Sequence, residues 1–493
     1  MLVMKFGGTS VGTGERMLEV ARIALEHREQ HPVVVTSAMS GVTDTLLHLH
    51  AIAAAGNAEF HVIYTTLKQQ HLDAALAIDP DADWSRLHQR LAMLRTDLAT
   101  AYLNRDPSAR MRDHIAAWGE QLAVILVAGA LDASGGRSYA HDQPLVVTDD
   151  RFGEATPLPR PTRALAQSVF AQAVERDAIL VAPGFIGQTQ FSTDRHRILT
   201  TLGRGGSDYA ATLIAAALDA VACWIYTDVD GVFTADPRVV PEAHVLPIIS
   251  YAAAGRLACC GAKVLHHRAV SPVARRQIPL RVRNTFAPQH PGTLIAHTGD
   301  KTYGRAQAVA SRRNLCALSL AGPGLAEIPN LFGRMCRSVT EAGAEIVLAA
   351  HPIPGHDPQL LLDASCAVAV RVRLERDLAD EIANGHVEEI VMQTGVALCT
   401  LVGDEMHLAT IDRAQRALAL EEIIPLSQSV AADALSFVLP EGDLDRAVWR
   451  IHQEVVEPAL RETLRRRPYH HINGQWAAGG RSQSRLRVLQ AQH

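Results

Sequence analysis

The chain has 493 residues, 48% hydrophobic and 20% charged, with 47 Lys and Arg against 52 Asp and Glu for a net charge of -5. Such a length allows roughly three domains, and the composition excludes wholesale disorder. Without a basic excess, neither nucleic acid nor an acidic lipid surface is an expected partner. The longest apolar run, Leu122 to Leu131, is about half of what a membrane span needs, so no membrane segment is expected. The start Leu2-Val3-Met4 is strand-like rather than leader-like, which sets a cytoplasmic expectation. Seven scattered cysteines without a CxxC indicate neither a disulfide frame nor a zinc site, and are expected to be buried thiols.

Leu2 to Phe6 reads as a buried strand, Gly7-Gly8-Thr9-Ser10 as a turn, and Met17, Val20, Ala21, Ala24 and Leu25 as one face of a helix. Val33-Val34-Val35 repeats the pattern. From Gly56 to Arg112 the pattern is helical but polar, a helical insertion of about 57–113 lying outside the main sheet. Apolar runs at Ala178 to Val181, Cys223 to Tyr226 and Leu280 to Val282 alternate with helices, which argues for a parallel sheet covered on both faces. The first domain is therefore placed at 1–300. Leu315 to Leu320 and Val396 to Val402 open two similar stretches about 80 residues apart, suggesting duplicated small domains at 312–392 and 393–460. Residues 461–493 carry seven arginines against one glutamate and read as a flexible, solvated tail.

Only four lysines occur, Lys5, Lys68, Lys263 and Lys301, leaving 43 of the 47 basic residues as arginine (47 − 4). A lysine kept in such a background suggests a need for a compact ammonium that a planar guanidinium cannot meet. Lys5 precedes Gly7-Gly8, a strand-to-helix turn suited to an anion, although Thr13 stands where a P-loop needs its lysine. Gly203-Arg204-Gly205-Gly206-Ser207-Asp208 suits clamping a carboxylate or phosphate, with helix capping as the plainer reading. Thr227-Asp228-Val229-Asp230-Gly231 follows a buried strand, where ligands bind in doubly wound sheets, yet Asp-Gly also marks ordinary turns. Gly261-Ala262-Lys263 is either another ammonium site or a helix-start lysine in solvent. Together these signals describe phosphoryl transfer without a P-loop, where positive charge must offset the repulsion between an anionic nucleophile and a γ-phosphate.

Lys5-Phe6-Gly7-Gly8-Thr9-Ser10, Asp150-Arg151-Phe152-Gly153, Leu202 to Asp208, Thr227 to Phe233 and Gly261 to His266 resemble, in order and spacing, the aspartate kinase (aspartokinase) family. The resemblance implies a three-layer αβα amino-acid-kinase domain with a mainly parallel sheet, followed by two α+β ACT-like domains. It also implies the reaction ATP + L-aspartate to ADP + 4-phospho-L-aspartate, the first step of lysine, threonine and methionine biosynthesis. By motif, Lys5, Asp208 and Lys263 would be catalytic, with Asp208 orienting the lysines. Thr43, Glu120, Arg204 and Ser207 would bind the substrate, Arg204 at its α-carboxylate and Glu120 at its α-ammonium. Lys5, Phe6, Gly7, Gly8, Thr227, Asp228, Phe233, Arg238 and Lys263 would surround ATP, with Mg2+ held mainly by the ATP phosphates rather than by protein ligands.

The resemblance further implies a homo-oligomer assembled through the ACT-like domains and an amino-acid effector there. His351 to Pro358, with three prolines, departs from the family's effector-contacting strand and loop. Trp118, Phe233 and His267 depart locally from the usual His, Tyr and Pro. Two other functions stay open: a kinase of the same fold with another substrate (glutamate, N-acetylglutamate, carbamate or UMP), and a catalytically silent ACT-type sensor subunit.

Overall fold

The structure, a computed structural model, describes residues 1–190, 198–262, 264–297, 307–350, 359–459, 470–472 and 475–477. The chain divides into two compact units, one of Met1–Val232, Val245–Gly255 and Val264–Gly299, the other of Phe233–His244, Arg256–Lys263 and Asp300–His493.

The first unit opens with β1 (Leu2–Phe6), α1 (Gly14–Glu26), β2 (Val33–Thr36) and α2 (Val42–Ala54), followed by four helices, α3 (Phe60–Ile78), α4 (Ser85–Asn104), α5 (Ala109–Ala116) and α6 (Trp118–Ala133). It continues with β3 (Ser138–Ala140), β4 (Val146–Thr148), α7 (Pro159–Glu175), β5 (Ile179–Pro183), β6 (Ile186–Thr189), β7 (Leu199–Thr201), α8 (Gly206–Leu218) and β8 (Ala222–Thr227). β9 (Ile248–Ser250), α9 (Tyr251–Cys259), α10 (His267–Arg276), β10 (Leu280–Asn284) and β11 (Thr293–Ala296) follow.

Eight strands form one sheet in the order β3-β5-β2-β1-β8-β10-β11-β9. Its pairs are parallel except β10 with β11. Every residue of β1 is buried, because a central parallel strand is covered on both faces. α1 starts where the Thr13 side chain accepts from the Arg16 N–H, and Met17, Val20, Ala21 and Ala24 turn inward. α6 is apolar on nearly all sides; the helical stretch Ala109–Ala133 is long and apolar enough to cross a membrane, but 89% of its most apolar window is buried inside the protein. It reads as a core helix. A small second sheet, β4-β6-β7, has no counterpart in the sequence reading, since strands of three or four residues carry too little periodicity.

The second unit contains β12 (Ala308–Ala321), α11 (Leu331–Glu341), β13 (Ile346–Ala350), β14 (Gln359–Asp363), α12 (Ala367–Asp377), α13 (Ala379–Ala383) and β15 (Glu389–Val402). α14 (Leu408–Leu420), β16 (Ser427–Val430), β17 (Ala434–Pro440) and α15 (Leu444–Ile451) complete it. The two ACT-like modules share one antiparallel sheet, β13-β14-β12-β15-β17-β16. β12 pairs with β15 along its length, with a register shift between Arg312 and Leu315. That irregularity separates two cores: Cys316, Leu318 and Met335 pack with Leu362 and Val370, while Val309 packs with Leu401, Phe437 and Val448.

The boundaries of this unit do not coincide with 1–300, 312–392 and 393–460. Val309 joins the second core, and so do Ala235 and Val240 from the segment after β8. A contiguous reading of the chain has no way to assign a strand or loop to a core built mostly from residues 397–456. Most of the 461–493 tail lies outside the described residues; within it His470–Ile472 and Gln475–Ala477 pair antiparallel. Cys259 is exposed, against the expectation of buried thiols.

Leu126 on α6 is fully buried in the first unit's core. Leu126→Ala is expected to cost about 2–5 kcal/mol, through lost transfer energy and the cavity left behind, read as a lower urea midpoint for this unit.

Candidate active site

The carboxyl ends of β1, β2, β5 and β8 converge on a cavity of about 850 Å³ lined by Gly8, Ser37, Phe185 and Asp228, among others. The strand order places it there. β2 and β8 flank β1 on opposite sides, so the chain leaves the strand ends in opposite directions and a crevice opens between the connections.

Lys5, near the end of β1, is only 8% exposed. Its Nζ lies 2.6 Å from Oδ1 of Asp208 in the first turn of α8. A buried ammonium needs such a partner, because desolvation of a lone charge costs several kcal/mol. α8 begins at Gly205 without a side-chain cap; the Gly206 N–H turns back to the Gly203 carbonyl at 3.0 Å, so an anion there would meet the Ser207 and Asp208 amides. Gly205 itself is required twice over: its φ is 68°, and a Cβ there would lie 2.3 Å from Cβ of His266.

Gly7, Gly8 and Thr9 also line the cavity, but the Gly7 N–H donates to the Tyr226 carbonyl at 3.1 Å. An anion at this turn would therefore use the Gly8 and Thr9 amides, and Gly7 contributes room beside Lys5 rather than a free donor. Phe6 is a correction of another kind. Its ring is fully buried and stacked on Tyr226, centroids 4.7 Å apart, so it is a core side chain and not a nucleotide contact.

Glu120, in the first turn of α6, is buried and lines the cavity. Its Oε1 accepts from the Ala38 N–H at 3.1 Å, while Oε2 has no hydrogen-bond partner among the described residues. Burial pushes this carboxyl up to about 8, against the opposing pull of the Ala38 N–H and the Lys5 charge. An unpaired carboxylate oxygen in a cavity is a receptor for a cation. Arg204 is exposed at the same cavity, and Thr43 and Ser207 are half-buried along it. Thr227 and Asp228 line it from the end of β8, the Thr227 hydroxyl donating to Asp228 Oδ1 at 3.2 Å.

Of the remaining expected residues, Phe233 and Arg238 do not line the cavity. Phe233 and Arg238 belong to the second unit, where Arg238 forms a bidentate pair with Asp236. Lys263 lies outside the described residues. Conversely, Arg112 and Asp113 of α5 line the cavity and were missed, because they sit in a polar stretch read as outer helices and carry no glycine signature.

A model of the amino acid kinase family matches residues 1–284. The chain is 29% identical over 472 residues to aspartokinase 1, chloroplastic, of Arabidopsis thaliana, covering 92% of this chain and 80% of that one. It is 28% identical over 464 residues to a chloroplastic bifunctional aspartokinase/homoserine dehydrogenase 2 of Zea mays, covering 91% of this chain but only 50% of that relative's length. Among solved structures, E. coli aspartokinase III in complex with aspartate and ADP superposes with a TM-score of 0.77 at 25% identity, covering 92% of this chain and 99% of that one.

The Glu120 carboxyl, raised from 4.5 to about 8, has a direct consequence for stability. The folded protein keeps a proton there that the unfolded chain releases, so ligand-free stability falls as pH rises from about 4.5 to about 8 and then levels off. Glu120→Gln removes this component. Its stability relative to the parent protein is expected to be greater at pH 8.5 than at pH 5 by roughly 2–5 kcal/mol in urea titrations. A difference independent of pH would mean that Glu120 is ionised throughout.

Proposed function

The chain belongs to the amino acid kinase family, and we propose that it is an aspartate 4-kinase, transferring the γ-phosphoryl group of ATP to the side-chain carboxylate of L-aspartate. The observation that carries this reading is a single cavity presenting the Lys5–Asp208 pair, the exposed Arg204 guanidinium and the unpaired Oε2 of Glu120. A free α-amino acid with an acidic side chain is complementary to that set: its α-carboxylate to Arg204, its α-ammonium to Glu120, its side-chain carboxylate to the ammonium. Relatives and a structural neighbour named as aspartokinases support the same substrate.

The nucleophile needs no general base, since an aspartate carboxylate is ionised at neutral pH. One of its oxygens forms a bond to the γ-phosphorus while the bond to the β–γ bridging oxygen breaks, and ADP leaves with that electron pair. Repulsion between the two anions is the main barrier the protein can lower. Lys5 neutralises it from the end of β1, held in place by Asp208. The Gly8 and Thr9 amides and the uncapped start of α8 add N–H donors. Lys263 is assigned as the second ammonium on its Gly261-Ala262-Lys263 motif alone. Thr43 and Ser207 complete the substrate pocket, and Thr227 and Asp228 the nucleotide side. Mg2+ carried on the ATP phosphates supplies further neutralisation, and the exposed Asp228 carboxylate is an oxygen donor of the kind that ion accepts.

In the second unit we assign the amino-acid effector and the contact with a second copy of the chain to the ACT-like sheet; the His351 to Pro358 segment tied to effector contact lies outside the described residues.

With ATP, Mg2+ and hydroxylamine, purified protein is expected to form a hydroxamate from L-aspartate and not from glutamate or N-acetylated acids. Signal only with another acid moves the substrate assignment; no signal with any acid favours a silent sensor. Lys5→Ala is expected to lower kcat by roughly 10²–10³, the scale of removing one charge-stabilising donor, with the circular dichroism spectrum preserved.

A further inference from the structure

Asp113 is 1% exposed, yet it lines the substrate cavity. One of its oxygens, Oδ2, accepts two backbone N–H bonds from separate parts of the chain, Gly153 at 2.7 Å and Thr201 at 2.9 Å. The other oxygen lies 3.7 Å from Nη2 of Arg112. Thr201 is the last residue of β7, two residues before Gly203-Arg204-Gly205.

Within that loop a single backbone bond closes the turn around Arg204, from the Gly206 N–H to the Gly203 carbonyl at 3.0 Å. Gly203 and Gly205 have φ values of 76° and 68°, and a glycine imposes almost no backbone preference of its own. Arg204 is therefore placed by this turn together with the loop's attachments at Thr201 and Leu202. These are four: Asp113 on the Thr201 N–H, the Ala155 N–H on the Thr201 carbonyl at 2.9 Å, the Phe185 carbonyl on the Leu202 N–H at 2.9 Å, and the Arg268 guanidinium on the Leu202 carbonyl at 2.9 Å. Asp113 and the Ala155 N–H both tie the loop's root to the turn that carries Gly153, and Asp113 does so from α5. There Gly153 has a φ of 92°, and a Cβ at that position would lie 2.3 Å from Nη2 of Arg112. The positive φ favours glycine here, and the Gly153 N–H donates to the carboxylate at 2.7 Å.

We propose that Asp113 is the positioning residue for Arg204: its buried carboxylate joins the Gly153 and Thr201 backbones and so sets where the Arg204 guanidinium meets the substrate's α-carboxylate. The proposal rests on the carboxylate contact assigned to Arg204 above. Acting through the backbone that carries Arg204, Asp113 is expected to affect the affinity for aspartate rather than the phosphoryl-transfer step or ATP binding.

The test is a double-mutant cycle with full-chain protein. Asp113→Asn keeps the shape but offers only a neutral acceptor, roughly half as strong; Asp113→Ala removes both bonds. Expected are increases in the KM for aspartate of roughly three- to fivefold for Asn and tenfold or more for Ala, with kcat and the KM for ATP within about twofold. In an Arg204→Ala background both increases should vanish, because the residue acted through is gone. An unchanged aspartate KM in Asp113→Asn, or an increase that persists in full without Arg204, overturns the positioning role; should Asp113→Ala not fold, the Asn variant decides alone. If Arg204→Ala by itself leaves the aspartate KM unchanged, the contact beneath the proposal fails, an outcome distinct from failure at Asp113.

Discussion

The arrangement of the first unit follows from one constraint, the burial of an ammonium group at the end of its central strand. Lys5 cannot occupy that position without a carboxylate in contact, and Asp208 supplies it at 2.6 Å. To do so, α8 must begin beside the end of β1, which requires the tight glycine entry at Gly205 against His266. The same pairing leaves the uncapped start of α8 and the Gly8 turn around one crevice. Sheet order and electrostatics thus specify the same place: the switch point that topology opens is also where the Lys5–Asp208 pair and Arg204 meet the cavity.

Around that pair the cavity handles charge in two ways. Its cationic groups are suited to anions, whereas Glu120 is an acid whose burial favours the neutral form until a cation arrives. A site of this kind has little affinity for a bare anion pair and gains from a ligand that carries both signs. This is the physical basis for preferring an amino-acid substrate over a simple phosphate or dicarboxylate. Asp113 is similarly buried, but its Oδ2 accepts two backbone N–H groups, whereas Glu120 accepts one, from Ala38, and leaves Oε2 without a partner among the described residues.

The second unit shows how duplication is built without two separate sheets. β12 and β15 are each long enough to serve both modules, and the register irregularity near Arg312 marks the change from one core to the other. The segment carrying Ala235 and Val240, which follows the Thr227-Asp228 turn in the chain, contributes to the second of these cores.

Much of the fold was legible from local pattern. Val33 to Val35 and Cys223 to Tyr226 are continuous apolar runs, Leu2 to Phe6 and Leu280 to Val282 are broken only by Lys5 and Arg281, and all fall in the mainly parallel sheet. The scarcity of lysine singled out Lys5, and the glycines flanked Arg204, because charge type and backbone freedom are properties of the residues themselves. What the sequence could not decide depends on which distant backbones meet. Phe6 adjoins the glycine turn in sequence, but stacking on Tyr226 removes it from the cavity. The Gly7 amide was a natural phosphate donor until the neighbouring strand's carbonyl claimed it. Arg112 and Asp113 lie in a polar helical stretch without any motif, and only the folding of α5 against β7 and the Gly153 turn brings them to the site. Composition and spacing determine what each residue can do chemically; tertiary packing determines which of those capacities are already satisfied and which remain open to a ligand.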